Sequence, residues 1–449
     1  MLLDTDMALP TEEIYKRNLI GGRWVFPAAP YEFEIRSPAN SAVIAEVPLS
    51  SRFDVRTAIE AASEAAVGDW TDSTHRISAM ATLLDLLESR VAALAELQVV
   101  ESGLSEDDSR ATVDAALRLA RSLLGCGSDK EASRRGVSGH VISWGLPFTE
   151  MLSGVFMSML RGNAVVVKPS LRGPLSPVAF ALAATQAGLP PGVINIVQGN
   201  GIDVGAALMS SGGLTELHIH GGPDTISRAK RAASRVSAAV NTLSGGGNTA
   251  VVHPEFNPDD LTELVQAVVP GVRMNNAGGP FAIQTLAVHS SIDDSVVATI
   301  VSALTTTTAA PLPTDALRQR AIKRIVDLRR SGAQVLLGGE STPDDVAHRM
   351  GWRMPPAVVD LGDAQQASEL LKATGEPLGP VLMVTHWTEP SQLESLFDPQ
   401  RYGDAYASEW GGQSLAIERT FGVAVRNQSP VEAASEGVIP SAWMGTANS

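Results

Sequence analysis

Hydrophobic positions recur at helical spacing in the first third of the chain and then gather into short strand-like runs. Apolar residues three and four positions apart predict amphipathic helices at 54–68, 75–101 and near 110–124. The later runs predict strands: VISW (141–144), AVVVK (164–168), INIVQ (194–198), LHIH (217–220) and TAVVH (249–253). Helical patterns near 149–161, 175–187, 203–210 and 224–236 separate these runs. This alternation predicts right-handed βαβ units and a doubly wound parallel sheet.

A second α/β section begins near Ser244. It contains helical patterns at 258–269 and 314–331 and strand-like runs at 333–339 and 421–427. The polar stretch Gly125–Gly139, ahead of the first predicted strand, is typical of a loop or a short exposed hairpin. We therefore predict two α/β lobes joined near 240–245, with a ligand cleft where the strand ends open.

Composition narrows the function classes. The chain has 49 acidic and 34 basic side chains and a formal charge of −15, which repels phosphate backbones and argues against a nucleic-acid partner. A single cysteine, Cys126, cannot form an internal disulfide or a thiolate metal cage. We find no signal-peptide pattern at the start and no apolar run of the roughly 20 residues that a membrane helix needs. The expectation is a soluble, cytoplasmic globular protein that does not bind membranes.

Several stretches, taken in order, resemble the NAD(P)-dependent aldehyde dehydrogenase superfamily from about Asn18 to Asn427. They are NLIGGRWV (18–25), SPAN (37–40), SWGLPF (143–148), LRGNAVVVKPS (160–170), GLPPGVINIVQGNG (188–201), LSGGGNTAVV (243–252), NNAGGPF (275–281) and GEPLGPVL (375–382). The resemblance implies an α/β fold with a Rossmann-type dinucleotide-binding domain (1–124 and 140–242) and a catalytic-type α/β domain (243–427). It also implies a small bridging or oligomerisation element (125–139 and 428–449), shortened here, and a homodimer or higher homo-oligomer.

The resemblance places three family functions on residues that cannot perform them. The family's chemistry needs a thiolate nucleophile, an oxyanion donor and a general base. The nucleophilic cysteine falls at Phe281, the oxyanion-holding asparagine at Gly145 and the general-base glutamate at Leu243. Cys126 lies in the polar stretch before the first predicted strand and is interpreted as a bystander thiol. We therefore expect no thiol-dependent aldehyde oxidation.

The family's cofactor positions are better kept. Lys168 falls where a lysine binds the adenosine ribose, Glu376 where a carboxylate holds the nicotinamide ribose, and Asn200 and Gly201 at the adenine turn. The alternatives are a surface lysine at a strand end for Lys168 and a loop or cap acid for Glu376. Leu378 replaces the usual phenylalanine two residues after that carboxylate.

Two departures bear on the dinucleotide phosphates. The family's threonine-glycine-serine turn is replaced by His220-Gly221-Gly222, whose following helix start can still receive a pyrophosphate. Leu171 stands where NAD-preferring members carry an acid, and Arg172 follows it. This pair favours NADP over NAD, if a dinucleotide binds.

Three side chains are candidates for substitute acid–base chemistry. Glu150 follows SWGLPF, Glu432 follows the last predicted strand, and His220 ends the LHIH run. A carboxylate in the family's substrate tunnel has a raised pKa, whereas the alternative for both glutamates is a solvent-exposed position. His218 and His220 share one face of their strand, but two histidines without a third ligand do not predict a metal site.

Three functions stay open. The first is an NAD(P)-dependent oxidoreductase that transfers hydride to a carbonyl or imine without a covalent intermediate. The second is a pseudoenzyme that binds a ligand or a partner protein on the inherited scaffold. The third is a cofactor-independent enzyme that acts on a small molecule with Glu150, Glu432 or His220, because a fold does not determine a function.

Overall fold

The computed structural model describes residues 9–125, 136–234, 236–244, 247–274, 282–340, 351–394, 396, 405–412 and 422–428. The strands of the first lobe are β1 (Asn18–Ile20), β2 (Arg23–Val25), β3 (Glu32–Arg36), β4 (Val43–Pro48), β5 (Val137–Val141), β6 (Ala164–Lys168), β7 (Ile194–Ile196), β8 (Glu216–Gly221) and β9 (Ala239–Ser244). Those of the second are β10 (Thr249–Val252), β11 (Thr285–His289), β12 (Gln334–Leu337), β13 (Ala357–Asp363), β14 (Val381–Trp387), β15 (Ala405–Trp410) and β16 (Gly422–Arg426).

The helices pack around these strands. In the first lobe they are α1 (Glu12–Tyr15), α2 (Arg52–Ala65), α3 (Ser73–Ser89), α4 (Val91–Ser102), α5 (Glu106–Gly125), α6 (Pro147–Glu150), α7 (Phe156–Leu160), α8 (Leu175–Gln186), α9 (Ala206–Met209) and α10 (Pro223–Ala233). In the second they are α11 (Leu261–Met274), α12 (Ser295–Thr305), α13 (Asp315–Arg330), α14 (Ala364–Thr374) and α15 (Pro390–Glu394). Single π-helical turns, Met151–Val155 and Gly201–Gly205, precede α7 and α9.

The first lobe is built on a seven-stranded sheet in the order β2-β1-β7-β6-β5-β8-β9. From β5 the chain adds β6 and β7 on one side and then returns to add β8 and β9 on the other, all parallel. The connection reverses direction between β5 and β8. In open α/β sheets, ligands bind beyond the carboxyl ends of the strands at such a point. The predicted doubly wound sheet is confirmed.

Two apolar cores enclose this sheet. Val165, Val167, Ile194 and Ile196 point to one face and pack against α3, α4, α5, α8 and the 147–160 segment. Val166, Val141, Leu217 and Ile219 point to the other face and pack against α2, α9 and α10. Their alternation follows from the two-residue period of a strand. Both faces are therefore covered, as parallel sheets require.

The second lobe has its own seven-stranded sheet, in the order β12-β13-β14-β11-β10-β15-β16. All its pairings are parallel except β12 with β13. The first sheet ends at Ser244 and the second begins at Thr249, so the described strands change sheet close to the predicted junction. The division of the whole chain into the three predicted domains stays a prediction.

Two local predictions differ from the structure. The first parallel strand begins at Val137, and Ile142–Trp144 lie beyond its end. Residues 137–139, which we assigned to the bridging element, therefore belong to the first sheet. The prediction missed them because this strand carries buried polar residues, which an apolar pattern does not reveal. The single helix predicted at 75–101 is two helices, since Arg90 (φ −111°, ψ 14°) leaves the helical region.

Candidate functional site

A buried polar layer lies on one face of β5, β8 and β9. The register pairs Ser138 with Glu216 and His140 with His218, and it pairs His218 with Asn241. Residues two apart on a strand point the same way, so these side chains and His220 share one face. All are buried, between 0% and 7% exposed. A layer this polar inside an apolar core needs internal partners for each group.

The rings of His140 and His218 stack in this layer, with centroids 4.5 Å apart and planes 4° from parallel. His140 Nε2 lies 3.0 Å from Ser138 Oγ, and His218 Nε2 lies 3.3 Å from Glu216 Oε2. Burial lowers the pKa of His140 well below its usual range, and the neighbouring histidines lower it further. Burial also lowers the pKa of His218, although Glu216 opposes that effect. Both rings are therefore held neutral near pH 7.

Glu150 connects the loop after β5 to the end of β8. Its Oε2 atom accepts a 2.7 Å hydrogen bond from the Ser143 backbone N–H, and its Oε1 atom accepts one from the Ser143 hydroxyl. His220 Nδ1 lies 3.3 Å from Glu150 Oε2, within ion-pair distance. The two atoms are not hydrogen-bonded, and Nδ1 makes no hydrogen bond in the structure. In ligand-free proteins, hydrogen bonds between catalytic groups are often long or poorly aligned.

The helix that carries Glu150 has an unusual backbone. Its α-helical pattern gives way to the π-helical turn Met151–Val155, a feature found frequently at functional sites. Gly154 lies in this turn, and a Cβ there would lie 3.3 Å from His220 Nε2 and 3.7 Å from His140 Nδ1. A side chain at this position would require the His220 ring to shift by a few tenths of an ångström. The turn therefore brings the helix backbone close to the polar layer.

The structure gives a different result for each residue predicted to take part in acid–base chemistry. Glu150 is 1% exposed, so the solvent-exposed alternative is wrong for it, and it lies beside His220. His218 shares the face of His220, as predicted. Glu432 lies outside the described residues. Ser143 and His140 were missed, although Ser138 and His140 alternate in sequence as His218 and His220 do.

The structure describes two of the three positions where the resemblance places the family's catalytic functions. Gly145 is buried in the loop between β5 and α6. The backbone of Leu243 pairs with that of His220 across β9 and β8. Phe281 and Cys126 lie outside the described residues.

The structure describes the residues predicted to hold the adenosine end of a dinucleotide. Lys168 is 4% exposed, so the surface alternative is wrong, and burial lowers the pKa of its ammonium group to about 8. Its Nζ atom donates to the Pro169 carbonyl, and its aliphatic carbons lie 3.6 and 3.7 Å from a Cβ position on Gly205. Asn200 caps the following turn through the N–H groups of Ile202 and Asp203. A Cβ built on Gly201 would meet no other atom within 4 Å.

The residues predicted to hold the phosphates and the nicotinamide lie at the start of α10 and on the loop that carries Leu378. Gly222 caps α10 without a side-chain hydrogen bond, and Pro223 removes one N–H from the first turn. A Cβ on Gly222 would lie 3.6 Å from Leu378 Cδ1, an ordinary van der Waals distance, so Leu378 of the second lobe lies opposite the start of α10. Glu376, on the loop that carries Leu378, is half-buried. Glycines at both ends and an uncapped helix start fit a dinucleotide.

Other ligand classes find less support among the residues that the structure describes. Over that part of the chain, no group of three or more histidine, cysteine, aspartate or glutamate side chains is placed to hold a metal ion. No helix in those ranges is long and apolar enough to cross a membrane.

Comparison with known proteins decides the family. Residues 24–407 match the family model described as "Aldehyde dehydrogenase family". The chain belongs to the aldehyde dehydrogenase family. Hydroxyisobutyraldehyde dehydrogenase of Mycolicibacterium austroafricanum is 27% identical over 86% of this chain and 79% of its own length. Geranial dehydrogenase of Castellaniella defragrans is 26% identical over 87% of this chain and 85% of its own length. The predicted family membership is confirmed.

Solved members of the family share the fold. Lactaldehyde dehydrogenase from Escherichia coli superposes with a TM-score of 0.79 over 92% of this chain and 91% of its own, at 22% identity. Betaine aldehyde dehydrogenase from Staphylococcus aureus, solved in complex with NAD+, superposes with a TM-score of 0.80 over 93% of this chain and 88% of its own, at 19% identity. The predicted pairing of a Rossmann-type lobe with a second α/β lobe is confirmed.

Proposed function

We propose that this aldehyde dehydrogenase family member is an NAD(P)-dependent oxidoreductase that reduces a carbonyl or imine without a covalent thiol intermediate. The observation that carries the proposal is the Ser143–Glu150–His220 chain, which joins the carboxyl ends of β5 and β8 at the point where the sheet reverses direction. By the resemblance, the position of the family's nucleophile falls at Phe281, and the single cysteine, Cys126, lies elsewhere in the sequence. An acid–base chain without a thiol supports hydride chemistry rather than thiohemiacetal chemistry.

The dinucleotide would lie across the ends of β6, β7 and β8. Lys168 and the Asn200–Gly201 turn would hold the adenosine end, the N–H groups near Gly221 and Gly222 the pyrophosphate, and Glu376 the nicotinamide ribose. When bound, the nicotinamide supplies the hydride. The chain's own task is then to bind and orient the substrate and to supply one proton.

Ser143 is the half-buried end of the proton chain. Its hydroxyl would donate a proton to the substrate oxygen or nitrogen as that atom gains negative charge. Glu150, hydrogen-bonded to that hydroxyl, would pass a replacement proton from His220. His220 would recover this proton from solvent between turnovers, which completes the cycle. Hydride and proton together convert a carbonyl to an alcohol, or an imine to an amine.

The pseudoenzyme is the second candidate, and one observation favours it. The Lys168 ammonium group, which would hold the adenosine ribose, already donates to the Pro169 backbone carbonyl. A chain used only as a scaffold for a ligand or a partner protein would tolerate this contact. It would not bind a dinucleotide.

Titration with NADPH separates the two candidates. We expect saturable quenching of protein fluorescence in the wild type, and a dissociation constant at least about tenfold higher in Lys168→Met, because that change removes a buried cation from the ribose site. Lys323→Met is the matched control, since Lys323 is exposed and pairs with Asp327 on α13. Lack of NADPH binding at millimolar concentration, or equal NADPH affinity in Lys168→Met and Lys323→Met, would favour the pseudoenzyme.

A further inference from the structure

A second cavity, of about 340 Å³, opens beside the site described above. It lies where the β3–β4 hairpin meets the loops that follow β5 and β6 in the first lobe and two residues of the second lobe. Its volume falls within the range of small-molecule sites. Of the predicted dinucleotide positions only Arg172 lines it, and no residue of the Ser143–Glu150–His220 chain does.

Part of the lining of this cavity consists of side chains with flat apolar surfaces. We call four of them, Trp144, Trp352, Pro38 and Pro313, the floor; Phe33 also lines the cavity. Indole and proline surfaces stack on planar groups, and aromatic side chains dominate the lining of small-molecule sites.

Backbone contacts hold this floor in place. The Trp352 N–H donates to the Pro38 carbonyl (3.0 Å), and the Trp352 carbonyl accepts from the Leu312 N–H (2.9 Å). Trp144 packs closely on Gly173, where a Cβ would lie 3.1 Å from Trp144 Cδ1. The floor is therefore formed before any ligand arrives, which reduces the entropy lost on binding.

Two carboxylates and two guanidinium groups line the cavity, and among the described residues one of them, Arg172, has no ion-pair partner. Arg36 forms an ion pair with Glu34, and Glu32 lies 3.8 Å from Lys16, a cation that it shares with two other carboxylates. No carboxylate of the described chain lies within ion-pair distance of Arg172, whose guanidinium carbon lies 6.0 Å from the centre of the Phe33 ring. Arg172 is exposed, so a ligand can reach its guanidinium from solvent. In a chain of charge −15, an arginine without an acid beside it is notable.

We propose that this cavity is a separate binding site for a small planar organic anion, an aromatic carboxylate of one or two rings. The ring would lie against Trp144 and Trp352, and the carboxylate would form a bidentate pair with Arg172, whose planar fork matches carboxylate geometry. This site does not depend on the proposed oxidoreductase activity.

The same geometry changes the interpretation of Arg172. The sequence favoured a contact between Arg172 and the 2′-phosphate of NADP. The Lys168 side chain extends toward Gly205 and α9, whereas Arg172 lies against the β3 hairpin, which packs on the opposite core. The carboxylate site accounts for the position of Arg172 without the dinucleotide.

Calorimetric titration of the full chain with 1-naphthoate tests the proposal, with the neutral 1-naphthamide as the matched ligand. We expect saturable naphthoate binding with a Kd below about 1 mM and at least about tenfold weaker binding of the amide. Arg172→Gln should weaken naphthoate binding at least about tenfold, and Trp352→Leu should weaken both ligands. Arg56→Gln, at an exposed arginine paired with Glu60, should change neither.

Three results would overturn the proposal. They are equal affinity for the acid and the amide, an unchanged naphthoate Kd in a folded Arg172→Gln variant, and no saturable binding of either ligand. A further titration with NADPH and NADH distinguishes the earlier interpretation. If Arg172→Gln weakens NADPH binding but not NADH binding, and leaves naphthoate binding intact, Arg172 serves the 2′-phosphate instead.

Discussion

Glu150→Gln is expected to lower the kcat of NADPH-dependent carbonyl reduction by about 10²- to 10⁴-fold, the usual contribution of a general acid–base group. Glutamine keeps the size of the side chain but cannot relay a proton between Ser143 and His220. Because Glu150 does not contact the expected dinucleotide positions, the NADPH dissociation constant should stay within about twofold. Single-turnover rates, measured with the best substrate from a panel of aldehydes, ketones and cyclic imines, give the comparison.

Glu216→Gln is a closely matched control. Glu216 is also a buried carboxylate whose Oε2 atom lies 3.3 Å from a histidine of the same layer, but it has no contact with Ser143 in the described structure. We expect its turnover to stay within about threefold of the wild type. Equal losses in the two variants would assign the effect of Glu150 to the stability of the layer and would refute the proton chain.

The free energy of unfolding is expected to fall more steeply with decreasing pH than protonation of the carboxylates alone would cause. The pKa values of His140 and His218 are lowered in the folded state, so below about pH 6.5 the unfolded chain binds more protons than the folded one. Stability is then full above pH 6.5 and falls as the pH decreases. A histidine that stays neutral in the folded state contributes a loss of about 1.4 kcal/mol between pH 7.5 and pH 5.5, which makes about 3 kcal/mol the upper limit for the pair.

The groups that face these two rings modify the effect without reversing it. Glu216 raises the pKa of His218, whereas desolvation, His220 and Arg161 lower it. Urea unfolding at both pH values measures the loss. His140→Phe, which keeps the stack on His218 and removes one titrating ring, should halve the excess loss, and His75→Gln, at an exposed histidine, should leave it unchanged. An unaltered pH dependence in His140→Phe would show that the buried ring does not contribute.

Elements with one dominant local signal could be predicted from the sequence. The AVVVK run is the strand Ala164–Lys168 because a continuous apolar run fits a strand buried on both faces. The helix at 175–187 was predicted to within a residue because it also has a strong apolar pattern, and ten of its residues are buried. By contrast, β5 was placed four residues too late because Ser138, Gly139 and His140 are buried without being apolar.

The site could be predicted only where strand geometry determines it. His218 and His220 follow from the two-residue period, but the stack on His140 depends on the register between β5 and β8, which no local pattern encodes. The burial of Glu150 depends on two hydrogen bonds from Ser143, seven residues away along the chain. Hydrophobicity alone argues against burying that carboxylate, which is why the sequence left both alternatives open.

The central claim is that this family member transfers hydride without a thiol, and its single cysteine allows a direct test. Cys126→Ser removes every thiol from the chain. We predict that the variant keeps kcat/KM for NADPH-dependent reduction within about twofold of the wild type, and that mass spectrometry of the wild type during turnover detects no substrate adduct on Cys126. Loss of activity in Cys126→Ser, or a covalent adduct on that residue that forms and decays at the rate of turnover, would contradict the claim.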